Sequence, residues 1–248
     1  MRTIFLADAH LKDPADDNFQ FLLRFLKELT GNADALYIMG DLFDFWVGFP
    51  SHPFHQFNEV LDALELLVAS GCQLVCFEGN HDFHLGETFS RRLKAEIHPV
   101  PIIEEIQGRR LYLCHGDQIN RADYRYRLLR LLLHNPMAAA SARFFPPSLA
   151  VFIKRKLQHS SQSKYHVTSA RWDYHAIIRE FVPETMRKGC NGLITGHFHL
   201  AFCEQLYDSS FTILSLGDWI DQFTYGEMIN GELLLKTYSP IAKPTSIF

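Results

Sequence analysis

The first half of the chain alternates between short apolar runs and longer stretches with helically spaced apolar residues. The apolar runs predict strands over about 2–7, 35–39, 73–77 and 110–114. Residues 16–29 place apolar side chains three and four positions apart, which is typical of a helix with one buried face. The same spacing predicts helices over about 54–69 and 87–97. An alternation of strands and helices predicts an α/β fold.

The second half departs from this alternation. Residues 121–164 combine strongly apolar stretches with clustered basic residues, and we interpret them as a helical insertion that forms a lid within one domain spanning 1–248. A further long helix is expected over 167–186 and a strand over 193–195. The remaining strands are expected over 211–216, 225–229 and 233–238, with a hairpin at Asn230-Gly231.

Composition indicates a soluble globular protein, because hydrophobic residues make up 47% of the chain and charged residues 21%. The five cysteines are odd in number and form no C-x-x-C pair, which is typical of a reducing compartment. The apolar run at the N-terminus is too short for a signal peptide, and no apolar stretch approaches the length of a membrane span. We therefore expect a cytoplasmic protein.

The net charge of −4 conceals an uneven distribution. Residues 121–171 contain ten basic residues and one acid, so this segment carries +9 while the remainder of the chain carries −13. A concentrated basic surface indicates an anionic partner. The apolar part of the segment has three open interpretations, which are ordinary helical packing, a dimer face and a lipid-binding surface.

Polar side chains follow five of the predicted strands where each strand ends. They occur as Asp8-x-His10, Gly40-Asp41, Gly79-Asn80-His81-Asp82, His115 and Gly196-His197-x-His199. Each motif alone is weak, because Gly-Asp and Gly-Asn pairs are common in turns. Five such clusters at consecutive strand exits are a stronger signal, because functional sites of open α/β sheets form at that edge.

The residue types in these clusters are typical of a metal site. They supply carboxylate and amide oxygens with imidazole nitrogens and no thiolate, which favours Mn²⁺, Fe²⁺ or Zn²⁺ in a hydrolytic site over structural zinc. Seven ligands are too many for one ion and suit two that share a carboxylate. We therefore place Asp41 at the centre of a two-metal site. The loop containing His197 and His199 can direct the two rings to different ions.

Together these motifs resemble the calcineurin-like metallophosphoesterase superfamily over nearly the whole chain. The resemblance implies two packed β-sheets flanked by helices and two divalent ions, Mn²⁺ first, with Fe²⁺, Zn²⁺ or Mg²⁺ as the other candidates. Transferred to matching positions, it implies a first ion on Asp8, His10, His199 and Asp41, and a second on Asp41, Asn80, His115 and His197. His81 would donate a proton to the leaving group or stabilise phosphoryl charge, and Asp82 would orient its ring.

Several segments also resemble the UDP-2,3-diacylglucosamine pyrophosphatases of lipid A biosynthesis. They are residues 33–43, His115-Gly116-Asp117 with Asp123-Tyr124, the basic apolar insertion, and Leu216-Gly217-Asp218-Trp219. This likeness implies hydrolysis of the pyrophosphate bond of UDP-2,3-diacylglucosamine to UMP and 2,3-diacylglucosamine 1-phosphate. It also implies peripheral contact with the anionic inner face of the cytoplasmic membrane. The substrate would contact Asn80, His81, Asp123, Ser160, Lys164 and His197.

One position departs from that family, which usually has arginine where this chain has His81. The departure keeps two alternatives open. The first is a general phosphodiesterase, phosphomonoesterase or nuclease of the same superfamily, whose basic insertion would bind a nucleic acid or another polyanion. The second is a non-enzymatic scaffold, which the complete set of ligands and His81 disfavours. If the chain is a pyrophosphatase of the lipid nucleotide, no nucleic-acid partner is expected. The sequence does not indicate an oligomeric state.

Overall fold

The computed structural model describes residues 1–47, 54–121 and 172–239, and within them the strands form two main sheets. The strands are β1 Arg2–Leu6, β2 Ala35–Ile38, β3 Trp46–Val47, β4 Gln73–Phe77, β5 Asp82–Phe83, β6 Glu96–His98, β7 Ile102–Ile106, β8 Arg109–Cys114, β9 Gly192–Thr195, β10 Ala201–Leu206, β11 Phe211–Leu216, β12 Thr224–Ile229 and β13 Glu232–Thr237. The six-stranded sheet has the order β13-β12-β1-β2-β4-β6 and the five-stranded sheet has the order β10-β11-β9-β8-β7. The short β3 and β5 pair with each other.

Helices cover the outer faces of both sheets. The described helices are α1 Asp17–Leu29, α2 Asn58–Ala69 and α3 Tyr174–Arg187, with a 3₁₀ turn at His55–Phe57 and a π-helical turn at Thr88–Arg92. The first two pack on the six-stranded sheet, where Phe19, Leu22 and Leu64 are fully buried. The third packs on the five-stranded sheet through Ile178 and Val182. The predicted class, two packed sheets flanked by helices, is confirmed.

The two sheets bury an apolar layer between their inner faces. Phe5, Tyr37 and Val75 contribute from the first sheet, while Leu113 and Ile194 contribute from the second. These side chains come from strands whose last four residues are all buried, because the outer face of each strand is also covered, by a helix. Fully buried strands therefore explain the uninterrupted apolar runs in the sequence.

The strands that carry the candidate ligands run parallel side by side. In the first sheet β1 pairs with β2 and β2 with β4, and in the second β8 pairs with β9, all in parallel register. The carboxyl ends of parallel strands lie at one edge of a sheet, so the polar residues that follow them are brought together. This topology turns five separated motifs into one cluster.

Some predicted elements are wrong in type or extent. The helix expected over 87–97 is a π-helical turn followed by the strand Glu96–His98, which pairs in parallel with β4. Strands β7 and β10 were not predicted. The helix expected over 167–186 begins at Tyr174, and its first predicted residues, 167–171, lie outside the described residues.

The hairpin expected at Asn230-Gly231 is confirmed. It joins β12 and β13, and both turn residues have positive φ, at 52° and 81°, as a two-residue type I′ turn requires. The predicted insertion over 121–164 lies outside the described residues except for Arg121, so its helical structure and lid role stay predictions, as does the single domain over 1–248. Among the residues that the structure describes, no helix has the length and apolar content needed to cross a bilayer.

Candidate metal centre

The seven predicted ligands converge in one buried cluster, and the loops that carry them are tightly bent. The residues Asp8, His10, Asp41, His197 and His199 all have positive φ, between 44° and 69°. Such backbone is uncommon for residues with a side chain and persists only where the surrounding structure enforces it. Here hydrogen bonds from Asp8 N to Gly40 O at 3.1 Å and from His10 N to Asp41 O at 3.0 Å join two of the loops.

Two glycines allow these loops to approach each other. A Cβ at Gly79 would overlap the carboxylate of Asp41, and one at Gly40 would lie 2.5 Å from His115 Nδ1. Gly40 also has a φ of +98°, which residues with a side chain rarely adopt. The Gly-Asp and Gly-Asn motifs therefore have glycine because a candidate ligand from another loop occupies the space of its side chain.

The first set of ligand atoms surrounds one oxygen of Asp8. Asp8 Oδ1 lies 3.8 Å from His10 Nε2 and 3.6 Å from His199 Nε2. The other oxygen of Asp8 accepts a hydrogen bond from His197 N at 2.7 Å, which fixes the carboxylate. The ligand atoms of Asp8, His10 and His199 all lie within 4.8 Å of one another, so one ion can contact all three.

The second set surrounds the side-chain oxygen of Asn80. Asn80 Oδ1 lies 3.2 Å from His115 Nε2 and 3.0 Å from His197 Nδ1. His115 Nδ1 donates a hydrogen bond to the carbonyl oxygen of Met39 at 2.9 Å, so Nε2 is the ring nitrogen that faces the cluster. This arrangement leaves His115 ready to act as a ligand through Nε2.

Asp41 lies between the two sets. Its Oδ2 is 3.7 Å from His10 Nε2 and 3.5 Å from His115 Nε2, one histidine from each set. Its Oδ1 accepts a hydrogen bond from His81 N at 2.8 Å, which directs Oδ2 towards the two rings. Asp41 has the position that a bridging carboxylate needs.

The spacing and the unsatisfied atoms fit divalent ions. Buried Asp8 Oδ1 and His10 Nε2 have no hydrogen-bond partner in the described part of the chain. Separations of 3.5–3.8 Å are too long for hydrogen bonds. They are close to the separations of ligands that share an ion, because donors about 2.0–2.2 Å from one centre lie about 3–3.6 Å apart. The donor set and its geometry therefore fit the two-ion hypothesis.

Electrostatics keeps both carboxylates ionised. Burial opposes charge on Asp41, but the nearby His115 and His81 outweigh it and hold the pKa of Asp41 well below its usual range. The same balance, with His10 and His199 as the main partners, lowers the pKa of Asp8. Ionised carboxylates are the hard ligands that divalent ions prefer.

The pKa values of the two histidines in the second set are shifted in opposite directions. Burial disfavours the charged form of His115, but the carboxylates of Asp41 and Asp8 outweigh it and raise its pKa to about 10. Burial, reinforced by the charge on His115, lowers the pKa of His197 to about 4. Without an ion, the cluster thus keeps a proton on His115 to balance the carboxylates, and a divalent cation would replace that charge.

His81 lies beside the cluster, but its partner differs from the expected one. The centroid of its ring is 4.7 Å from that of His10, and its Nδ1 lies 2.9 Å from the backbone oxygen of Asp44. The expectation that Asp82 orients this ring is wrong. The Asp82 carboxyl group instead accepts hydrogen bonds from the backbone N–H groups of Gly79, Asp41, Leu42 and Phe43, so it shapes the loop that carries Asp41.

Sequence reasoning assigned no role to Asp218, which the structure places against His199. Asp218 Oδ2 lies 3.5 Å from His199 Nδ1, on the side of the ring opposite to Asp8. Burial opposes protonation of His199, but the nearby carboxylates of Asp218 and Asp8 outweigh it and raise the pKa of His199. A signal was present, because Gly217-Asp218 follows β11 just as Gly40-Asp41 follows β2. The predicted contacts Asp123, Ser160 and Lys164 lie outside the described residues.

Comparisons with known proteins agree with this geometry. A model of the calcineurin-like phosphoesterase family matches residues 1–201. The chain is similar to a UDP-2,3-diacylglucosamine hydrolase of Psychromonas ingrahamii, at 30% identity over 92% of this chain and 94% of that one. It is also similar to proteins of the same name from Stenotrophomonas maltophilia and Photorhabdus laumondii, each at 32% identity over 90% of this chain and 92% of the relative.

A solved structure supports the fold independently. The structure of an archaeal phosphodiesterase superposes with a TM-score of 0.51 at 13% identity, covering 96% of this chain and all of the other. At that identity the similarity concerns the fold.

Proposed function

Because the chain belongs to the calcineurin-like phosphoesterase family, we propose that it is a dinuclear-metal hydrolase that cleaves the pyrophosphate bond of UDP-2,3-diacylglucosamine. The products are UMP and 2,3-diacylglucosamine 1-phosphate. The observation that carries the proposal is the position of Asp41, whose Oδ2 faces one histidine from each of two ligand sets. The relatives named UDP-2,3-diacylglucosamine hydrolase, at 30–32% identity over 90% or more of the chain, support the choice of substrate.

The residues divide into two sets that share one carboxylate. Asp8, His10 and His199 would hold one divalent ion, and Asn80, His115 and His197 the other, with Asp41 common to both. Bound ions supply Lewis-acid stabilisation of phosphoryl oxygens and an acidified water. We propose Mn²⁺ as the ion, because a ligand set of oxygens and imidazole nitrogens without thiolate suits a cation of intermediate hardness.

His81 is the proposed catalytic residue among the neighbours of the metal ligands. The carbonyl oxygen of Asp44 accepts a hydrogen bond from His81 Nδ1, which leaves Nε2 as the ring nitrogen that could take part in the reaction. A charged ring next to the ligand cluster would donate a proton to the leaving oxygen or stabilise phosphoryl charge. Asp82 acts on this reaction indirectly, by shaping the Asp41 loop.

Substrate choice is assigned to the basic segment over residues 121–171. Its charge of +9 suits a pyrophosphate and anionic head groups, and its apolar residues suit acyl chains. We keep Asp123, Ser160 and Lys164 as proposed substrate contacts beside Asn80, His81 and His197. A lipid substrate also implies peripheral association with the anionic inner face of the cytoplasmic membrane, in a cytoplasmic protein.

The direct test is hydrolysis of UDP-2,3-diacylglucosamine by the purified protein with Mn²⁺. We expect UMP to appear in step with 2,3-diacylglucosamine 1-phosphate, and EDTA to stop the reaction. Bis(p-nitrophenyl) phosphate serves as a generic diester in parallel. Rapid hydrolysis of that diester without release of UMP from the lipid nucleotide would favour the alternative, a general phosphoesterase. His81 in place of the arginine usual in the pyrophosphatase family is the observation that keeps this alternative open.

A further inference from the structure

The turn after β11 is built around the carboxyl group of Asp218. Asp218 Oδ1 accepts hydrogen bonds from the backbone N–H groups of Ile220, Asp221 and Gln222, at 2.9, 2.9 and 3.2 Å. Asp218 is 5% exposed, so this carboxyl group lies inside the protein. Oδ1 therefore accepts the hydrogen bonds that shape the turn, and Oδ2 can contact a different partner.

That second oxygen faces His199. Asp218 Oδ2 lies 3.5 Å from His199 Nδ1 and also accepts a hydrogen bond from Gln222 Nε2 at 2.6 Å. The same amide nitrogen donates to the backbone oxygen of His199 at 2.8 Å. Gln222 thus fixes both the carboxyl group and the backbone of the residue that the carboxyl group faces.

The next residue anchors the turn to the core and to Asp8. Trp219 N donates to Asp8 O at 3.1 Å, and its indole Nε1 donates to Asn18 O at 3.2 Å. The Trp219 ring is fully buried and lies 4.9 Å, centroid to centroid, from Phe25 of α1. The turn is therefore attached to two of the three residues of the first set and to the helix beneath them.

In the second ligand set, His115 is supported by a different kind of group. His115 Nδ1 donates to a neutral backbone carbonyl, that of Met39, at 2.9 Å. A carboxylate behind a metal-binding histidine fixes the ring and increases its basicity more than a carbonyl does. His199 and His115 therefore differ in the group that supports each ring.

We propose that Asp218 is a positioning residue for the first ion, holding His199 so that its Nε2 faces Asp8 Oδ1. The 3.6 Å separation of those two atoms is the geometry that the carboxyl group maintains. The inference rests on the metal site of the proposed function. It adds that one of the two ions depends on a residue that contacts neither ion nor substrate.

Mn²⁺ binding to the metal-free protein tests this, by equilibrium dialysis and calorimetry without substrate. Wild-type protein is expected to bind two ions. Asp218→Asn is expected to bind one of them about 10–100-fold more weakly, because loss of such a partner typically has that effect on metal affinity. The affinity for the other ion is expected to stay unchanged. Asp221→Asn, an exposed position in the same turn, is the matched control and is expected to bind both ions normally.

A second variant keeps the test decisive if Asp218→Asn does not fold. Gln222→Met removes the bonds to Asp218 Oδ2 and His199 O but leaves the three backbone bonds of Asp218, so we expect a severalfold loss at the same site. Near-UV circular dichroism of each metal-free variant reports folding. Two ions bound with wild-type affinity in folded Asp218→Asn, or in Gln222→Met if the first variant unfolds, would overturn the inference. A wild-type protein that binds fewer than two ions would instead refute the proposed function.

Discussion

The candidate ligands adopt a backbone conformation that most residues avoid. Asp8, His10, Asp41, His197 and His199 have positive φ, and each such residue costs on the order of 1–3 kcal/mol. Turn residues such as Asn230 share this φ, but they lie exposed at a hairpin, whereas the ligands are clustered and largely buried. Strain concentrated at a cluster of ligand atoms indicates that the loops are shaped for binding.

His81 is expected to affect catalysis but not metal binding. Its ring is held through Nδ1 by Asp44 O, and His81 is not one of the residues assigned to the two ligand sets. We expect His81→Ala to lower kcat by about 10²–10⁴-fold, the usual contribution of a general acid, while two ions per chain remain bound. Kinetics with UDP-2,3-diacylglucosamine and metal analysis of the same preparation check this.

His55→Ala, an exposed histidine before α2, is the matched control for His81→Ala and should keep wild-type kcat. Undiminished turnover in His81→Ala would remove this residue from the reaction.

At the residue scale, sequence reasoning selected the side chains that cluster but not the groups that support them. The structure clusters all seven predicted ligands because they follow strands whose ends meet at one edge. The role of Asp82 was wrong, because its bonds are to backbone N–H groups of a loop whose path a sequence does not give. Asp218 received no role because its contact with His199 depends on how β11 lies beside β9.

At the scale of elements, the central strands of the two main sheets were predictable, whereas three of the four edge strands were not. β2 and β4 are buried on both faces and therefore appear as apolar runs. β6 has three residues, and β7 reads Ile-Ile-Glu-Glu-Ile, so neither shows a clear run or alternation. β6, β7 and β10 lie at sheet edges, where one side of the strand is not paired and polar residues are tolerated.

Asp82→Asn tests the connection between the loops that follow β2 and β4. The Asp82 carboxyl group accepts N–H groups from both loops, whereas an amide has one accepting oxygen and would place its NH₂ against a donor. We expect the free energy of unfolding to fall by about 1–3 kcal/mol. Because Asp41 is displaced, Mn²⁺ affinity is expected to fall as well. Urea denaturation and equilibrium dialysis measure the two effects.

Asp208→Asn, at an exposed turn where asparagine is well tolerated, is the control for Asp82→Asn and should change neither quantity. Unaltered stability together with unaltered Mn²⁺ affinity in Asp82→Asn would contradict the assigned role of Asp82.

At the scale of the whole molecule, an ion-pair network joins strands from both ends of the chain. Glu227 on β12 is 2% exposed and bonds to Arg2 Nε of β1 at 2.7 Å and to Lys236 of β13. Burial opposes the charge on Glu227, but Lys236 and Arg2 outweigh it and lower its pKa. A carboxyl group whose pKa is lower in the folded than in the unfolded state stabilises the fold above the unfolded pKa, about 4.3.

Glu227→Gln is therefore expected to destabilise the protein in a pH-dependent way. At pH 7 we expect the free energy of unfolding to fall by about 1–2 kcal/mol, because two charge-assisted bonds are weakened. The difference from wild type should shrink as the pH drops below about 4, where the wild-type carboxyl group begins to be protonated through its lowered folded pKa. Urea denaturation at several pH values measures this difference. A difference that stays constant across the range would contradict the argument.

Reaction class and substrate choice are assigned to different parts of the chain, and this explains how much of the function the sequence could predict. Reaction class depends on residues at strand ends, whose convergence follows from parallel sheet geometry. Substrate choice is assigned to residues 121–171, where a charge of +9 and apolar stretches indicate the chemistry of a partner without fixing individual contacts. The class of reaction was therefore easier to predict than the identity of each substrate-binding residue.

The central claim is that Asp41 bridges two ions, and anomalous diffraction from crystals soaked in Mn²⁺ tests it most directly. Data collected at the manganese absorption edge are expected to show two peaks about 3.5–4 Å apart. One peak should lie against Asp8, His10 and His199, the other against Asn80, His115 and His197, with Asp41 Oδ2 between them. A single peak, or two peaks that do not share Asp41, would contradict the account.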